Sequence, residues 1–150
     1  MYLGDSCFSS FGLLLPQDEP YEMTLSEIEA CFGTSNHARR NIFAGLVRAV
    51  ENLTHAGVPR IVLGGSFISK KPEPGDADIA WWYHEAIRWE LIDPVFLSPE
   101  RRQVRGKYGI DHKLDGLKDV PYEDTFEAFL RTNTRMPFGF QDVGIVLIKC

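Results

Sequence analysis

Cysteine is scarce in this chain: Cys7, Cys31 and Cys150 are the only three, an odd number with no paired metal-ligand spacing. That excludes a disulfide scaffold and a cysteine-based zinc site, and reduced thiols are the simplest expectation. Positive charge is also thin at the start, where no lysine or arginine precedes Arg39, and the net charge is −5. The chain therefore lacks the charged start of a signal peptide and the global electrostatic footprint of a nucleic-acid binder. Any polynucleotide contact would be local. Long apolar runs are missing too, since Leu13-Leu14-Leu15 is far too short to span a bilayer. The expectation is a cytoplasmic protein with no membrane partner. Repeats, low-complexity segments and long charged linkers are likewise absent.

What is present suits one globular domain. The chain has 150 residues, 44% hydrophobic and 25% charged, enough to bury a real core. Residues 1–23 carry Gly, Ser, Pro and scattered aromatics without a period, so an irregular lead is expected, most of all over residues 1–13. Thr24-Leu25-Ser26-Glu27 has the form of a capping box ahead of Ile28, Cys31 and Phe32, which predicts a short helix ended by Gly33. A longer helix should start near Ser35 or Asn36 and run to Ala56. Its apolar stripe is Ile42, Phe43, Leu46, Val47, Val50 and Leu53, and Gly57 and Pro59 stop it. His37, Arg39 and Arg40 near its start suit either a solvated face or an anion site.

The centre of the chain is Ile61 to Tyr83, reading IVLGGSFISKKPEPGDADIAWWY. A short apolar strand breaks at Gly64-Gly65-Ser66. A Pro/Gly-rich connector carrying Lys70 and Lys71 follows, and a second strand-like run contains Asp76 and Asp78. On a strand of period two both acids share one face, while Ala77 and Ile79 take the other. Two carboxylates about 5 Å apart repel by roughly 3 kcal/mol at an effective dielectric near 20, so a cation should compensate. Hard oxygen donors suit Mg²⁺ or Mn²⁺. Small residues at the turn let backbone N–H groups approach phosphate oxygens, with the Ser66 hydroxyl as a further donor. Each part also has a plain structural explanation, a strand-end turn at Gly64-Gly65 and a β-turn through Pro74-Gly75 capped by Asp76.

A hydrophobic strand, Gly-Gly-Ser, nine residues from Phe67 to Gly75, then Asp-Ala-Asp and Ile79 resembles the signature of the polymerase-beta-type nucleotidyltransferase superfamily. The likeness extends in outline over residues 14–150 and is to small members of that superfamily. It implies an α/β (α+β) domain with a mixed central β-sheet flanked by helices. It implies Asp76 and Asp78 as ligands of Mg²⁺ or Mn²⁺, and Gly64, Gly65 and Ser66, with Lys70 as a neutralising neighbour, at the phosphates of a nucleoside triphosphate. A third carboxylate on a neighbouring strand would complete the metal site and assist the acceptor hydroxyl. Asp111 is the best match by position, with Asp115 and Asp119 as competitors. The implied acceptor, RNA, protein or small molecule, is open. The alternative is a catalytically inactive fold of this type serving as a binding or regulatory partner, for example in a toxin–antitoxin or defence setting.

The remaining segments complete the expected domain. Trp81 and Trp82 should point to opposite faces, one packing in the core and one bordering the site. Glu85 to Ile92 can form a helix, broken by Asp93-Pro94. Ser98-Pro99 should open a basic helix over about 99–106 with Arg101, Arg102, Arg105 and Lys107, either solvent-facing or receiving phosphates. Tyr108 to Leu114 looks extended. Glu123 to Thr132 reads as a short helix through Phe126, Phe129 and Leu130, and a loop from Asn133 to Asp142 leads to a closing strand over Gly144 to Lys149.

Overall fold

The computed structural model describes residues 2–136 and 139–150. Its centre is a five-stranded mixed sheet in the order β1-β7-β2-β3-β4, so the expected α+β architecture is present. The strands are β1 Tyr21–Thr24, β2 Ile61–Gly64, β3 Ala77–Trp82, β4 Ile110–Asp115 and β7 Val146–Lys149. β1 runs parallel to β7 and β3 parallel to β4, while β2 is antiparallel to both of its neighbours.

Local chemistry explains the helices. Thr24 accepts from the Glu27 amide at 3.2 Å and Glu27 accepts from the Thr24 amide at 3.0 Å, closing the capping box that starts α1, Leu25–Phe32. Asn36 caps α2, His37–His55, by accepting from the Arg39 amide at 2.9 Å. The α2 stripe Ile42, Phe43, Leu46, Val50 and Leu53 is buried as its spacing predicts, and Gly57 follows with φ +99°. Gly45 lets α2 close on the next helix, α3, Arg102–Tyr108, since a Cβ there would collide with the Tyr108 carbonyl.

Strand alternation divides the interior in two. Ile61, Leu63, Ala77, Ile79, Trp81 and Ile110 belong to the larger core, shared with α1, α2 and α3. Val62 and Ala80 face the other way and join Phe126, Leu130 and Ile145 in a smaller core under α4, Phe126–Leu130. Asp78 and Asp111 have the parity of Ala80, so both belong to the face that α4 covers. No helix among the described residues is long and apolar enough to cross a membrane.

Several expectations change. The lead holds a strand, β1, because Tyr21 and Met23 are buried where they pair with a segment more than a hundred residues away. Glu85 to Ile92 forms turns and a 3₁₀ turn at Trp89–Leu91 in place of an α-helix. Its backbone is committed elsewhere: the Arg88 amide donates to the Ala56 carbonyl at 2.7 Å, and Ile87 and Ile92 are buried. The basic helix begins later, at Arg102, and ends at Gly109 with φ +70°. Within the expected loop from Asn133 to Asp142, of which residues 137–138 lie outside the described residues, β5 Thr132–Met136 pairs antiparallel with β6 Gly139–Asp142. This pair lies outside the main sheet, where no alternating apolar pattern is needed to signal it.

Candidate functional site

The small-residue turn and the acids meet across β2 and β3. Gly64 is the cross-strand partner of Asp78, and Asp78 is in turn the partner of Asp111 on β4. Gly65 has φ +86°, and a Cβ there would collide with Asp78 Oδ2. Only glycine holds this backbone conformation at such a distance. At Gly64 a Cβ would come within 2.9 Å of Leu130, so α4 rests directly on the turn. Ser66 then opens a 3₁₀ turn over Ser66–Ile68, and its carbonyl accepts from Ser69 twice, from the amide at 3.2 Å and from the hydroxyl at 2.6 Å.

Arg39 fixes the connector that follows. It is buried, and it donates to the carbonyls of Phe32 at 3.1 Å, Phe67 at 2.7 Å, Ser69 at 2.7 Å and Lys71. Neither the solvated face nor the anion site expected for this residue is present. A planar fork with several donors can satisfy a set of converging carbonyls that would otherwise be stranded away from water. Its burial pushes the guanidinium pKa below the ordinary value.

A cavity of about 520 Å³ opens at this turn. Gly65, Ser66, Lys70, Asp76 and Asp78 line it, and Lys71 joins them, so cationic, anionic and hydroxyl groups share one concave surface. Lys70 also pairs with Asp5 at 2.8 Å, in an exposed contact that a stronger anion could displace. The remaining lining is mostly apolar, including Phe11, Leu14, Phe129 and Leu130, with the hydroxyl residues Ser69 and Thr132 among it.

The basic stretch does not lie idle in solvent. Arg101 and Arg105 are one helical turn apart, and they reach the two outer acids: Arg101 forms a two-pronged ion pair with Asp111, and Arg105 lies 3.4 Å from Asp76. Their neighbours make separate pairs, Arg102 with Glu100 and Lys107 with Asp93. The donor set of Asp76, Asp78 and Asp111 is hard oxygen, which suits Mg²⁺ or Mn²⁺. Among the described residues, however, no group of three or more acids, histidines or cysteines is gathered closely enough to hold an ion as it stands. Guanidinium cations occupy the outer acids, marking the place as one that demands positive charge.

The competing acids have other work. Asp115 is buried and accepts from the amides of Phe126 and Glu127, both at 2.8 Å, so it caps α4. Asp119 lies on a loop with φ +67°. His112, beside Asp111, faces the larger core, where its Nδ1 accepts from Trp81 Nε1 at 3.1 Å and its Nε2 has no partner. Burial holds its pKa below the ordinary value, with Asp111 pulling the other way. Trp81 is buried as expected, and Trp82 donates to Glu127 at 3.2 Å on the α4 face.

Glu127 was not distinguishable from a surface acid by its spacing, yet it is buried and gathers Arg60, Trp82 and Tyr122. Phe129 carries the opposite surprise. Its place in the helical stripe predicts core, but it is 57% exposed and lines the cavity.

A protein-family comparison matches residues 7–149 to a family of unknown function, DUF6932. No curated protein and no solved structure matches the chain. The chain belongs to the DUF6932 family.

Proposed function

We propose that this DUF6932 member is a metal-dependent nucleotidyltransferase of the polymerase-beta type, moving a nucleotidyl group from a nucleoside triphosphate to an acceptor hydroxyl. The reading rests on one observation above the others: Gly65 is seated against Asp78, which is itself in register with Asp111. The glycine turn and Asp78 are separated by the connector, and their direct contact is what supports the reading. The cavity adds support, because its size falls in the range of small-ligand sites and its lining mixes phosphate donors with acids.

In this reaction the acceptor oxygen bonds to the α-phosphorus, the bond from that phosphorus to the bridging oxygen breaks, and pyrophosphate leaves. Bound Mg²⁺ or Mn²⁺ would supply charge neutralisation on the attacking and leaving oxygens. Asp76, Asp78 and Asp111 would hold the cation, and Asp111 would also assist in taking the acceptor hydroxyl proton. Gly65 N–H, the Ser66 hydroxyl and Lys70 would orient the phosphates. Arg101 and Arg105 would leave Asp111 and Asp76 as metal arrives.

Those two ion pairs also favour a second reading, an inactive fold of this kind acting as a binding or regulatory protein, in which the arginines permanently replace the metal. Thermal melting separates the outcomes. Mg²⁺ with a nucleoside triphosphate should raise the melting temperature, and Asp78→Asn should abolish the rise. An unchanged melt in the parent chain rejects the nucleotide site altogether. A rise without transfer of labelled nucleotide to RNA, protein or small molecules selects the binding reading.

A further inference from the structure

The cations beside the acids form an outer layer. Arg101 and Arg105 are joined within one helical turn, the Arg105 amide donating to the Arg101 carbonyl at 3.3 Å, so they share a face. Their side chains are 56% and 59% exposed, while those of Asp111 and Asp76, which they pair with, are 22% and 19% exposed. Lys113 adds a third cation. It is exposed, it follows Asp111 by two residues on β4, and it shares that residue's parity. β4 ends the main sheet, so the cluster stands at its edge.

That edge is separate from the place where the triphosphate would lie. The cavity lining includes Gly65, Ser66, Lys70, Asp76 and Asp78, and among the described residues it includes neither Asp111, Lys113 nor the two arginines. Asp111 lies one strand beyond Asp78, on the side away from the glycine turn of β2. The chain has a net charge of −5, yet it gathers three cations around the acid assigned to the acceptor hydroxyl. Positive charge there favours an anionic acceptor.

We infer that the acceptor carries a phosphate group close to its reacting hydroxyl, and that Arg101 and Arg105 receive this phosphate. The inference rests on the nucleotidyl-transfer reading and names the class of its acceptor. The present partners of the arginines are carboxylates at a partly solvated surface, where ion pairs are weak. Once Asp111 and Asp76 turn to a bound cation, the two guanidinium groups are left at the rim without counter-ions. A planar fork that fits a carboxylate fits phosphate oxygens equally well. The end of a polynucleotide and a small phosphorylated alcohol both bring this chemistry.

The test titrates the full chain with two probes, a fluorescent single-stranded oligoribonucleotide and glycerol 3-phosphate. Both are measured in Mg²⁺ with a saturating nucleoside triphosphate analogue whose α,β-bridge is a methylene, so that no transfer occurs. At least one probe should bind, and Arg101→Gln and Arg105→Gln should each weaken it about fivefold or more. For the oligoribonucleotide each substitution should also reduce the salt slope by about one. Both variants should keep the melting response to the analogue, which reports that they are folded with the first site intact. Arg102→Gln, which removes a partner of Glu100, should bind within about twofold of the parent. Oligoribonucleotide binding that glycerol 3-phosphate does not displace assigns a polynucleotide acceptor. Glycerol 3-phosphate binding with the same arginine dependence assigns a small phosphorylated one. If the analogue binds and neither probe does, or if both arginine variants bind the probes like the parent, the phosphate-bearing acceptor is overturned and the nucleotide reading stands. Failure of the analogue itself to bind overturns the two together.

Discussion

Arg101 spans ten residues of sequence to place its guanidinium on Asp111, one strand away from Asp78. The pair is partly solvated, and Arg101 is more than half exposed, so it is a weak clasp that a divalent ion can outcompete. Removing it should help the ion. Arg101→Gln is expected to tighten Mn²⁺ binding about two- to fivefold in the absence of nucleotide, measured by calorimetric titration. Weaker or unchanged binding would show that the arginine and the ion do not share Asp111.

Gly65 carries two constraints at once, the positive φ and the closeness of Asp78. Gly65→Ala should cost roughly 1–3 kcal/mol, read from the denaturant midpoint. It should also remove the melting response to Mg²⁺ and nucleoside triphosphate. A variant that kept full stability would mean the turn has room the geometry denies it.

Arg39 is expected to behave as a structural cation. Arg39→Lys preserves the charge but not the planar fork, and should still destabilise by roughly 2–4 kcal/mol through stranded carbonyls. The connector from Ser66 to Lys71 should become the first protease-sensitive segment. Rescue of stability by lysine would contradict the role given to the four carbonyl contacts.

Two groups set opposite ends of the pH profile. Burial holds folded His112 below its ordinary 6.5, so under that pH the unfolded chain takes up a proton that the folded chain refuses. Its contribution is intact above about 6.5 and is lost as pH falls below. Tyr108 is the reverse case. Burial and the hydrogen bond to Asp93 at 2.5 Å push its hydroxyl up to about 12 from 10.0. Stability is then complete below 10 and declines as pH climbs toward 12. Melting curves of His112→Gln and Tyr108→Phe should flatten the acid and alkaline limbs respectively. A parent-like acid limb in the first variant, or alkaline limb in the second, would remove that residue from the account.

Asp115 provides a control for Asp111. Asp115→Ala should cost roughly 1–2 kcal/mol by leaving the first two amides of α4 without their acceptor, while the Thr125 N-cap stays in place. At equal Mn²⁺ concentration the folded variant should bind like the parent, whereas Asp111→Asn should lose affinity. Identical losses from the two substitutions would contradict the division between cap and ligand.

Much of this arrangement was legible in the residues, where the information is local. Thr24 and Glu27 sit three apart and cap one another, and the α2 stripe repeats often enough to locate its buried face. Asp78 takes its face by strand alternation, whereas Asp76, expected on the same strand, precedes β3 and meets Asp78 only in the cavity lining. Asp111 was separable from Asp115 only once the register of β3 against β4 was in hand. β1 gave no signal because its four residues are stabilised by a distant partner. Arg39 and Phe129 mislead for one shared reason: helical spacing reports a face, not what lies opposite it. For Arg39 the opposite surface is a loop full of carbonyls, and for Phe129 it is a cavity.

β7 is the latest of the main-sheet strands in chain order, yet it lies between β1 and β2. While the polypeptide emerges from the ribosome, β1 has no neighbour and β2 has only β3. Val143 and Gly144, which lead into β7, also contribute to the cavity. A nascent chain stalled before Val146 should therefore show no nucleotide protection in pulse proteolysis, because the pocket is completed by the same step that zips the sheet shut.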